Sequence, residues 1–285
     1  MKMIFFKRAK ELFFALFVSF SAVAQTPIFE ISGNGLKKPS YLIGTMHLGC
    51  QESQVLPAQF RKFLLLSDAL VLEMNLNKIS EQVVVASKSV VPKERSLDLL
   101  MGEKYLVFKE EVKKNYDLDV SNILRFHPLM TSSLLAAKLL PCALPKGSES
   151  YLMEVADSLK KKIIGLETGK EQASILFSVP DSEAVNTLWE MGTNKGKTQK
   201  EWDDLQQVFA VGNIDSIAKF IEKSDEMKMD LEKMLYQRNR NWVNTLPALM
   251  KKQSLFIAVG AGHLGGPKGL IALLREAGYT VVEKQ

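Results

Sequence analysis

The sequence predicts an α/β fold in which one sheet has βαβ units at both ends of the chain and a helical insertion in the centre. Strand, helix and strand patterns follow one another at 40–74 and again at 255–282, while the stretch between them has mainly helical periodicity. The chain has 285 residues, of which 46% are hydrophobic, and this suits one large globular domain. We expect that domain to span residues 25–285.

The individual elements follow from local patterns. Gly33-Asn34-Gly35 separates strand patterns at 28–31 and 40–45 and predicts a hairpin. The continuous apolar run at 69–74 is typical of a strand buried on both faces. A helix at 57–67 should connect it to the strand at 40–45 by a right-handed crossover, which makes these two strands parallel. The other predicted helices lie at 78–90, 102–116, 128–140, 170–177 and 268–277, and further helices follow residue 177 up to about residue 246. Strands are predicted at 162–166, 255–259 and 279–282, and loops at 141–147 and 194–200.

Residues 1–24 have the pattern of a secretory signal peptide. A basic stretch ends at Lys10, an apolar run follows from Leu12 to Phe20, and Ala22-Val23-Ala24 supplies the small residues of a cleavage site. The apolar run is short for a membrane span, so an uncleaved anchor is the weaker interpretation, and no later run reaches spanning length. We therefore expect a soluble exported protein, periplasmic or secreted, without a stable membrane span after cleavage.

Charge and cysteine content limit the possible partners. The net charge is +5, much of it within the first 24 residues, so the sequence gives no support for a nucleic-acid partner. The only two cysteines are Cys50 and Cys142. In an oxidising compartment they either form one disulfide or remain as two separate thiols. The oligomeric state is not readable from the sequence.

Four polar residues stand at or just after the ends of predicted strands: His47, Glu73, Glu167 and His263. Ligands of open α/β sheets bind along the edge formed by the carboxyl ends of the strands, so this shared position predicts one site. Two imidazoles with carboxylates suit zinc, manganese, iron or cobalt, and such an ion polarises a carbonyl and acidifies water. Glu167 has a competing interpretation as an acidic residue at a helix N-terminus.

Both strand-end histidines belong to a G-x-x-H motif, Gly44 to His47 and Gly260 to His263, in a chain with three histidines. A single such histidine is more often structural than a ligand, and the pair is more informative. The third, His127, precedes Pro128 at a predicted helix start and is expected to be structural. Gly260 also begins a G-x-G-x-x-G pattern, with Glu283 at a position for a ribose contact. The further βα units of a dinucleotide-binding domain would then have to come from earlier sequence, so we expect this interpretation to be the weaker one.

Arg238 lies on the apolar stripe of a helix predicted over 225–246. An inward guanidinium needs a carboxylate or an oxyanion as its partner. The alternative is that its stem reaches along the helix to the surface, as we expect for Arg240 on another face.

At these residues the sequence resembles the TraB family of bacterial exported and membrane proteins (TraB, PrgY and GumN), which is related to the animal Tiki proteases. The resemblance is carried by the following stretches: 41–47 (YLIGTMH), Leu72-Glu73, 165–168 (GLET), Glu171-Gln172, Arg238-Asn239, 259–264 (VGAGHL) and Gly269-Leu270. It implies an EreA/ChaN-like α/β fold and a metal-dependent hydrolytic site, with manganese or cobalt as the preferred ion of Tiki relatives. At Glu149 the resemblance leads us to expect an aspartate.

Two functions are therefore expected from the sequence. In the first, a divalent ion held by His47, His263 and Glu73 supports hydrolysis of a peptide or small molecule. Glu73, Glu167 and Arg238 are then the catalytic candidates, with Glu167 as a base or further ligand and Arg238 facing substrate charge. In the second, the same cleft binds a peptide or a haem-like ligand without turnover.

Overall fold

The computed structural model describes residues 26–224 and 230–284, and the predicted signal peptide at 1–24 lies outside them. These residues form a mixed α/β fold with one six-stranded sheet, which confirms the predicted class. The EreA/ChaN-like detail stays a prediction. The strands are β1 (Ile28–Gly33), β2 (Ser40–Thr45), β3 (Ala69–Met74), β4 (Lys162–Glu167), β5 (Leu255–Gly260) and β6 (Tyr279–Lys284).

The strands lie in the order β4-β3-β5-β2-β1-β6. β2, β5, β3 and β4 run parallel to one another, whereas β1 is antiparallel to both β2 and β6. The predicted hairpin of β1 and β2 is confirmed, and so is the parallel direction of β2 and β3. The two βαβ units are not made of adjacent strands, however, because β5 lies between β2 and β3, and β6 pairs with β1. Local patterns define strand direction but not which strands become neighbours.

The helices are mostly those that periodicity predicts. They are α1 (Glu52–Val55), α2 (Phe60–Leu66), α3 (Ile79–Lys88), α4 (Leu97–Met101), α5 (Lys104–Tyr116), α6 (Pro128–Lys138), α7 (Ser148–Ser158), α8 (Gly169–Leu176), α9 (Asp181–Thr193), α10 (Lys195–Val211), α11 (Ile214–Lys223), α12 (Gln237–Met250) and α13 (Leu270–Glu276). A π-helical segment, Glu232–Tyr236, precedes α12, and the first residues of the helix predicted from 225 lie outside the described ranges. None of the described helices has the length and apolarity to cross a membrane.

The predicted polar loop at 194–200 is wrong, since α10 begins at Lys195. The polar residues there support a helix through pairs four residues apart. Lys200 Nζ lies 2.6 Å from Asp204 Oδ2, and Gln199 donates to Asp203 Oδ1 at 3.0 Å. Such pairs each stabilise a helix by about 0.2–0.5 kcal/mol, so a polar run is compatible with a surface helix.

Apolar side chains alternate between the two faces of the sheet, as the period of two in a strand requires. Leu70 and Leu72 of β3 join the core beneath α2 and α7, whereas Val71 faces the core beneath α12 and α13. All six residues of β3 are buried, as its continuous apolar run predicts. A separate apolar cluster holds α4, α5, α6 and α9 of the helical insertion together.

Cys50 and Cys142 form a disulfide whose Cα atoms are 5.7 Å apart and whose sequence separation is 92 residues. The sequence left this pairing open. A covalent link across so long a loop restricts the unfolded chain and thereby stabilises the folded one.

We expect the Cys50→Ser/Cys142→Ser double variant to lose about 2–4 kcal/mol of unfolding free energy. Urea denaturation of the oxidised protein and the variant measures this loss. The wild-type protein kept in dithiothreitol serves as the control and should unfold at the midpoint of the variant. Equal midpoints for the oxidised protein and the variant would show that the disulfide contributes nothing.

Candidate functional site

Four sequence-predicted residues come together at the carboxyl edge of the parallel strands. Glu73 is the fifth residue of β3, Glu167 ends β4, His47 follows β2, and His263 lies in the turn after β5. A Cβ atom built on Gly260 would lie 3.2 Å from Glu73 Oε1, 3.5 Å from His263 Cδ2 and 3.8 Å from His47 Nε2. The two histidines and Glu73 thus surround the backbone of Gly260.

Glycine at position 44 allows the two G-x-x-H segments to approach each other. A Cβ atom on Gly44 would lie 2.8 Å from the Cβ atom of Ala261, closer than side chains pack. β2 also pairs with β5 in a register that sets Thr45 opposite Gly260. Packing therefore explains the glycine of the first G-x-x-H motif, because Gly44 lets the turn after β5 approach β2.

The carboxylate of Glu73 is buried, and both of its oxygens accept hydrogen bonds. Its Oε1 accepts the backbone N–H of Gly260 at 2.8 Å, and its Oε2 accepts from Arg238 Nη2 at 2.6 Å and from Gln172 Nε2 at 3.3 Å. Burial alone would raise the pKa of Glu73, but the neighbouring His263 and Arg238, with the Gly260 amide, lower it to about 2. Glu73 is therefore ionised at neutral pH.

Arg238 points inward, as its place on the apolar stripe predicts, and is only 6% exposed. Nε and Nη2 donate to the two oxygens of Glu167 at 2.8 and 2.9 Å, and Nη1 donates to Met234 O at 3.1 Å. With its contacts to Glu73 and His263, all five N–H groups of the guanidinium have partners. Burial alone would lower the pKa of Arg238, but Glu73 and Glu167 raise it.

Glu167 belongs to this network and not to the helix N-terminus. Besides the guanidinium, its Oε1 accepts the indole N–H of Trp242 at 3.0 Å. The N-cap of α8 is Thr168, which forms a capping box with Glu171. The helix-terminal interpretation of Glu167 is therefore wrong.

His263 is buried, and its protonation follows from its neighbours. Asn239 Nδ2 donates to the carbonyl oxygens of His263 and Lys268, so Asn239 Oδ1 faces Nδ1 of the ring at 2.7 Å and accepts its proton. Nε2 then carries the lone pair and accepts from Arg238 Nη1 at 3.2 Å, with Glu73 Oε1 3.7 Å away. Burial lowers the pKa of His263 to about 3, so the ring is neutral.

His47 lies at the open side of the site, with a side chain that is 68% exposed. Its Nδ1 is 3.0 Å from Glu149 Oε1, which also accepts the hydroxyl of Thr45 at 2.7 Å. The charge of Glu149 raises the pKa of His47 to about 9. Glu149, where the resemblance leads one to expect aspartate, thus contacts a site histidine.

His127 lies in the helical insertion, as the N-cap of α6. Its Nδ1 accepts the backbone N–H of Leu129 at 3.3 Å, and its ring packs on Phe177 with 5.0 Å between the ring centroids. The structural interpretation of this histidine agrees with that position.

The segment after β5 is not arranged as a dinucleotide-binding turn. Gly260 is followed by a short 3₁₀ turn, Ala261–His263, and α13 begins only at Leu270, after the glycine pattern has ended. A pyrophosphate site of that kind needs the glycine loop to open directly into a helix N-terminus.

Sequence reasoning assigned no role to several residues that complete the site: Glu149, Gln172, Asn239 and Trp242. Gln172 and Asn239 were within the stretches that carry the family resemblance, so that comparison contains a signal for them. Trp242 shares the inward stripe of α12 with Arg238, one turn further on. Its place in the site is shown by its 4.4 Å ring contact with His263 and by its hydrogen bond to Glu167.

The side chains of His47, His263 and Glu73 are of types that bind divalent ions, but they do not form a preorganised metal-binding cluster. Across 26–224 and 230–284, no three His, Cys, Asp or Glu side chains are arranged as metal ligands. The absence of such an arrangement follows from Arg238, because its guanidinium donates hydrogen bonds to both Glu73 Oε2 and His263 Nε2. Imidazole nitrogens and a carboxylate are the ligand types that manganese, cobalt, zinc and iron accept.

The sequence of the chain is similar to those of several known proteins. The chain is similar to the uncharacterized protein YbaP of Shigella flexneri, 25% identical over 256 residues that cover 87% of this chain and 92% of YbaP. It is also similar to metalloprotease TIKI2 of Xenopus tropicalis, at 24% identity over 85% of this chain and 57% of TIKI2, and to metalloprotease TIKI1 of Danio rerio, at 23% over 85% and 60%. No solved structure matches significantly. The TraB/PrgY/gumN family model matches residues 27–283, and the chain therefore belongs to the TraB/PrgY/gumN family.

Proposed function

We propose that the protein is an exported metal-dependent hydrolase that cleaves peptides. The observation that supports this most is the meeting of His47, His263 and Glu73 around the backbone of Gly260. In both histidines a side-chain oxygen faces Nδ1, so Nε2 is the nitrogen on the side of the site, and in His263 an ion would have to displace the contact of Nε2 with Arg238 Nη1. Metal-ligating histidines in proteins are typically held in this way through their other nitrogen.

His47, His263 and Glu73 would hold the ion, which we propose to be manganese or cobalt, with zinc and iron as ions of similar ligand preference. The bound ion supplies a Lewis acid that polarises a carbonyl and acidifies water. Similarity to two metalloproteases, TIKI2 and TIKI1, supports peptide hydrolysis. His263 is neutral and Glu73 is ionised, which are the states in which these groups ligate metals, whereas His47, whose pKa is raised to about 9, would have to release its Nε2 proton when an ion binds.

Arg238 supplies a buried positive charge beside the ligand atoms. In the proposed reaction the positive charge of its guanidinium, whose N–H groups are already paired, stabilises a substrate carboxylate or the oxyanion that develops at the attacked carbonyl. Glu167 already uses both oxygens to hold Arg238 and Trp242, so its role is to position the guanidinium rather than to take a proton. Glu73 contributes the site's ionised carboxylate, as a ligand and as a partner of Arg238.

Export rests on residues 1–24 and agrees with the disulfide. Disulfides persist in oxidising compartments such as the periplasm and the extracellular space. The proposed partner is a peptide or a small molecule and not a nucleic acid.

Metal removal tests the hydrolase. The purified protein is first analysed for bound elements, then stripped with a chelator and mixed with a diverse peptide library whose products are read by mass spectrometry. We expect the stripped protein to be inactive and cleavage to return on addition of Mn²⁺ or Co²⁺, because hydrolysis depends on metal-activated water. Addition of Mg²⁺, which prefers oxygen ligands, is the control.

Two outcomes would contradict the proposal. Cleavage that persists after complete metal removal would exclude a metal-dependent mechanism. Stoichiometric capture of a peptide or of haem, unaffected by chelator and without cleavage, would instead favour a binding protein.

A further inference from the structure

Two segments distant in sequence are joined beside His47. We call residues 46–50 and 146–149 the clasp. Lys146 N–H donates to Gly49 O at 2.9 Å, and Ser148 N–H donates to Met46 O at 2.9 Å. The buried hydroxyl of Ser148 accepts Met46 N–H at 3.0 Å. These bonds fix the backbone on both sides of His47.

The clasp is closely packed around the histidine backbone. A Cβ atom on Gly147 would lie 2.4 Å from His47 O and 2.9 Å from Glu149 Oε2. Only glycine permits this approach. The disulfide joins Cys50, the last residue of the first segment, to Cys142, which lies four residues before the second segment.

Glu149 lies in the first turn of α7, directly after this close contact. Its side chain is only 13% exposed, and its Oε1 accepts from Thr45 Oγ1 and lies 3.0 Å from His47 Nδ1. The His47 side chain, in contrast, is 68% exposed, so packing contributes little to its orientation. The 3.0 Å contact with Glu149 is therefore the main restraint on the ring.

We infer that Glu149 is a positioning residue, which accepts a hydrogen bond from the Nδ1–H of His47 and so directs Nε2 towards Gly260 and Glu73. The inference rests on the proposed function, because it makes His47 a ligand through Nε2. A carboxylate that accepts the second ring N–H fixes both the tautomer and the orientation of a ligating histidine.

The test uses the full protein with Glu149→Ala and Glu149→Gln. Mn²⁺ binding is measured by isothermal titration calorimetry. We expect alanine to weaken Mn²⁺ binding about 10–100-fold, and glutamine, whose amide oxygen still accepts from Nδ1, to retain more of the affinity than alanine does. Glu154→Gln is the matched control, since it removes an exposed carboxylate from the same helix and should leave Mn²⁺ binding unchanged.

A second measurement does not depend on metal. With three histidines in the chain, ¹⁵N spectra of the imidazoles contain three ring systems, which single substitutions assign. At pH 10 we expect the proton of His47 on Nδ1 in the wild type and in Glu149→Gln, and mainly on Nε2, as in free histidine, in Glu149→Ala.

The outcomes separate the two proposals. A wild-type protein that binds no Mn²⁺ would contradict the hydrolase, while the tautomer comparison would still decide the role of Glu149. An unchanged tautomer in Glu149→Ala would overturn the positioning role, even if Mn²⁺ binding were weaker, because Glu149 would then act through its charge alone. Circular dichroism melting checks that each variant is folded.

Discussion

Replacement of Arg238 with methionine is expected to lower the free energy of unfolding by about 3–5 kcal/mol. Methionine fills much of the space of the arginine stem but leaves the buried carboxylates of Glu73 and Glu167 without their shared cation. An uncompensated buried charge is strongly destabilising, whereas the intact pair contributes little beyond the loss of hydration that it offsets. The large effect thus comes from the carboxylates that remain.

Urea denaturation at neutral pH measures this effect, and Arg240→Met is the matched control. Arg240 is two residues away on the same helix, but its pair with Glu232 is exposed, and exposed pairs contribute at most about 1 kcal/mol. Adding Glu167→Gln to Arg238→Met should recover part of the stability, because one of the two unpaired charges is then removed. A loss for Arg238→Met no larger than that for Arg240→Met would contradict the buried network.

Alanine at His47 or at His263 is expected to abolish metal-dependent hydrolysis and metal uptake. The two variants should differ in how much stability they lose. The His47 side chain is exposed, so its loss should change stability by less than about 1 kcal/mol. His263 is buried against Trp242, and its loss leaves Asn239 Oδ1 and one of the two N–H groups of Arg238 Nη1 without a partner. His263→Ala should therefore destabilise the protein by about 2–4 kcal/mol.

Elemental analysis, peptide cleavage and denaturation of both variants test these expectations together. His127→Asn is the control, because asparagine also caps helices and His127 lies in the helical insertion, where it caps α6. It should retain metal and activity. A folded His47→Ala protein with wild-type cleavage would remove His47 from the proposed site.

The convergence of the site was predictable because it follows from strand direction. Strand patterns before His47, Glu73, Glu167 and His263, joined by helices, require parallel strands, and parallel strands place their carboxyl ends on one edge. Helical spacing likewise predicted the inward direction of Arg238. In the first case the local order of strands and helices determines the direction of the strands. In the second case the helical period determines the direction of a side chain.

The remaining parts of the site depend on contacts between distant segments, which have no local period. Thr45 and Glu149 are 104 residues apart, and Arg238 and Glu73 are 165 residues apart. No pattern near Glu149 distinguishes it from an ordinary acidic residue in the first turn of a helix. The place of β5 between β2 and β3 has the same origin, since it depends on which apolar faces pack best in three dimensions.

The position of β1 has a consequence for folding during synthesis. Ile28 lies opposite Lys284, and Ile31 lies opposite Val281, so β1 leaves the ribosome early but gains its second neighbour only when the last strand arrives. Contacts of such long separation slow folding, and an unpaired strand edge is a template for pairing with other chains. A nascent chain stopped short of Tyr279 would therefore display one bare edge of β1 to its neighbours.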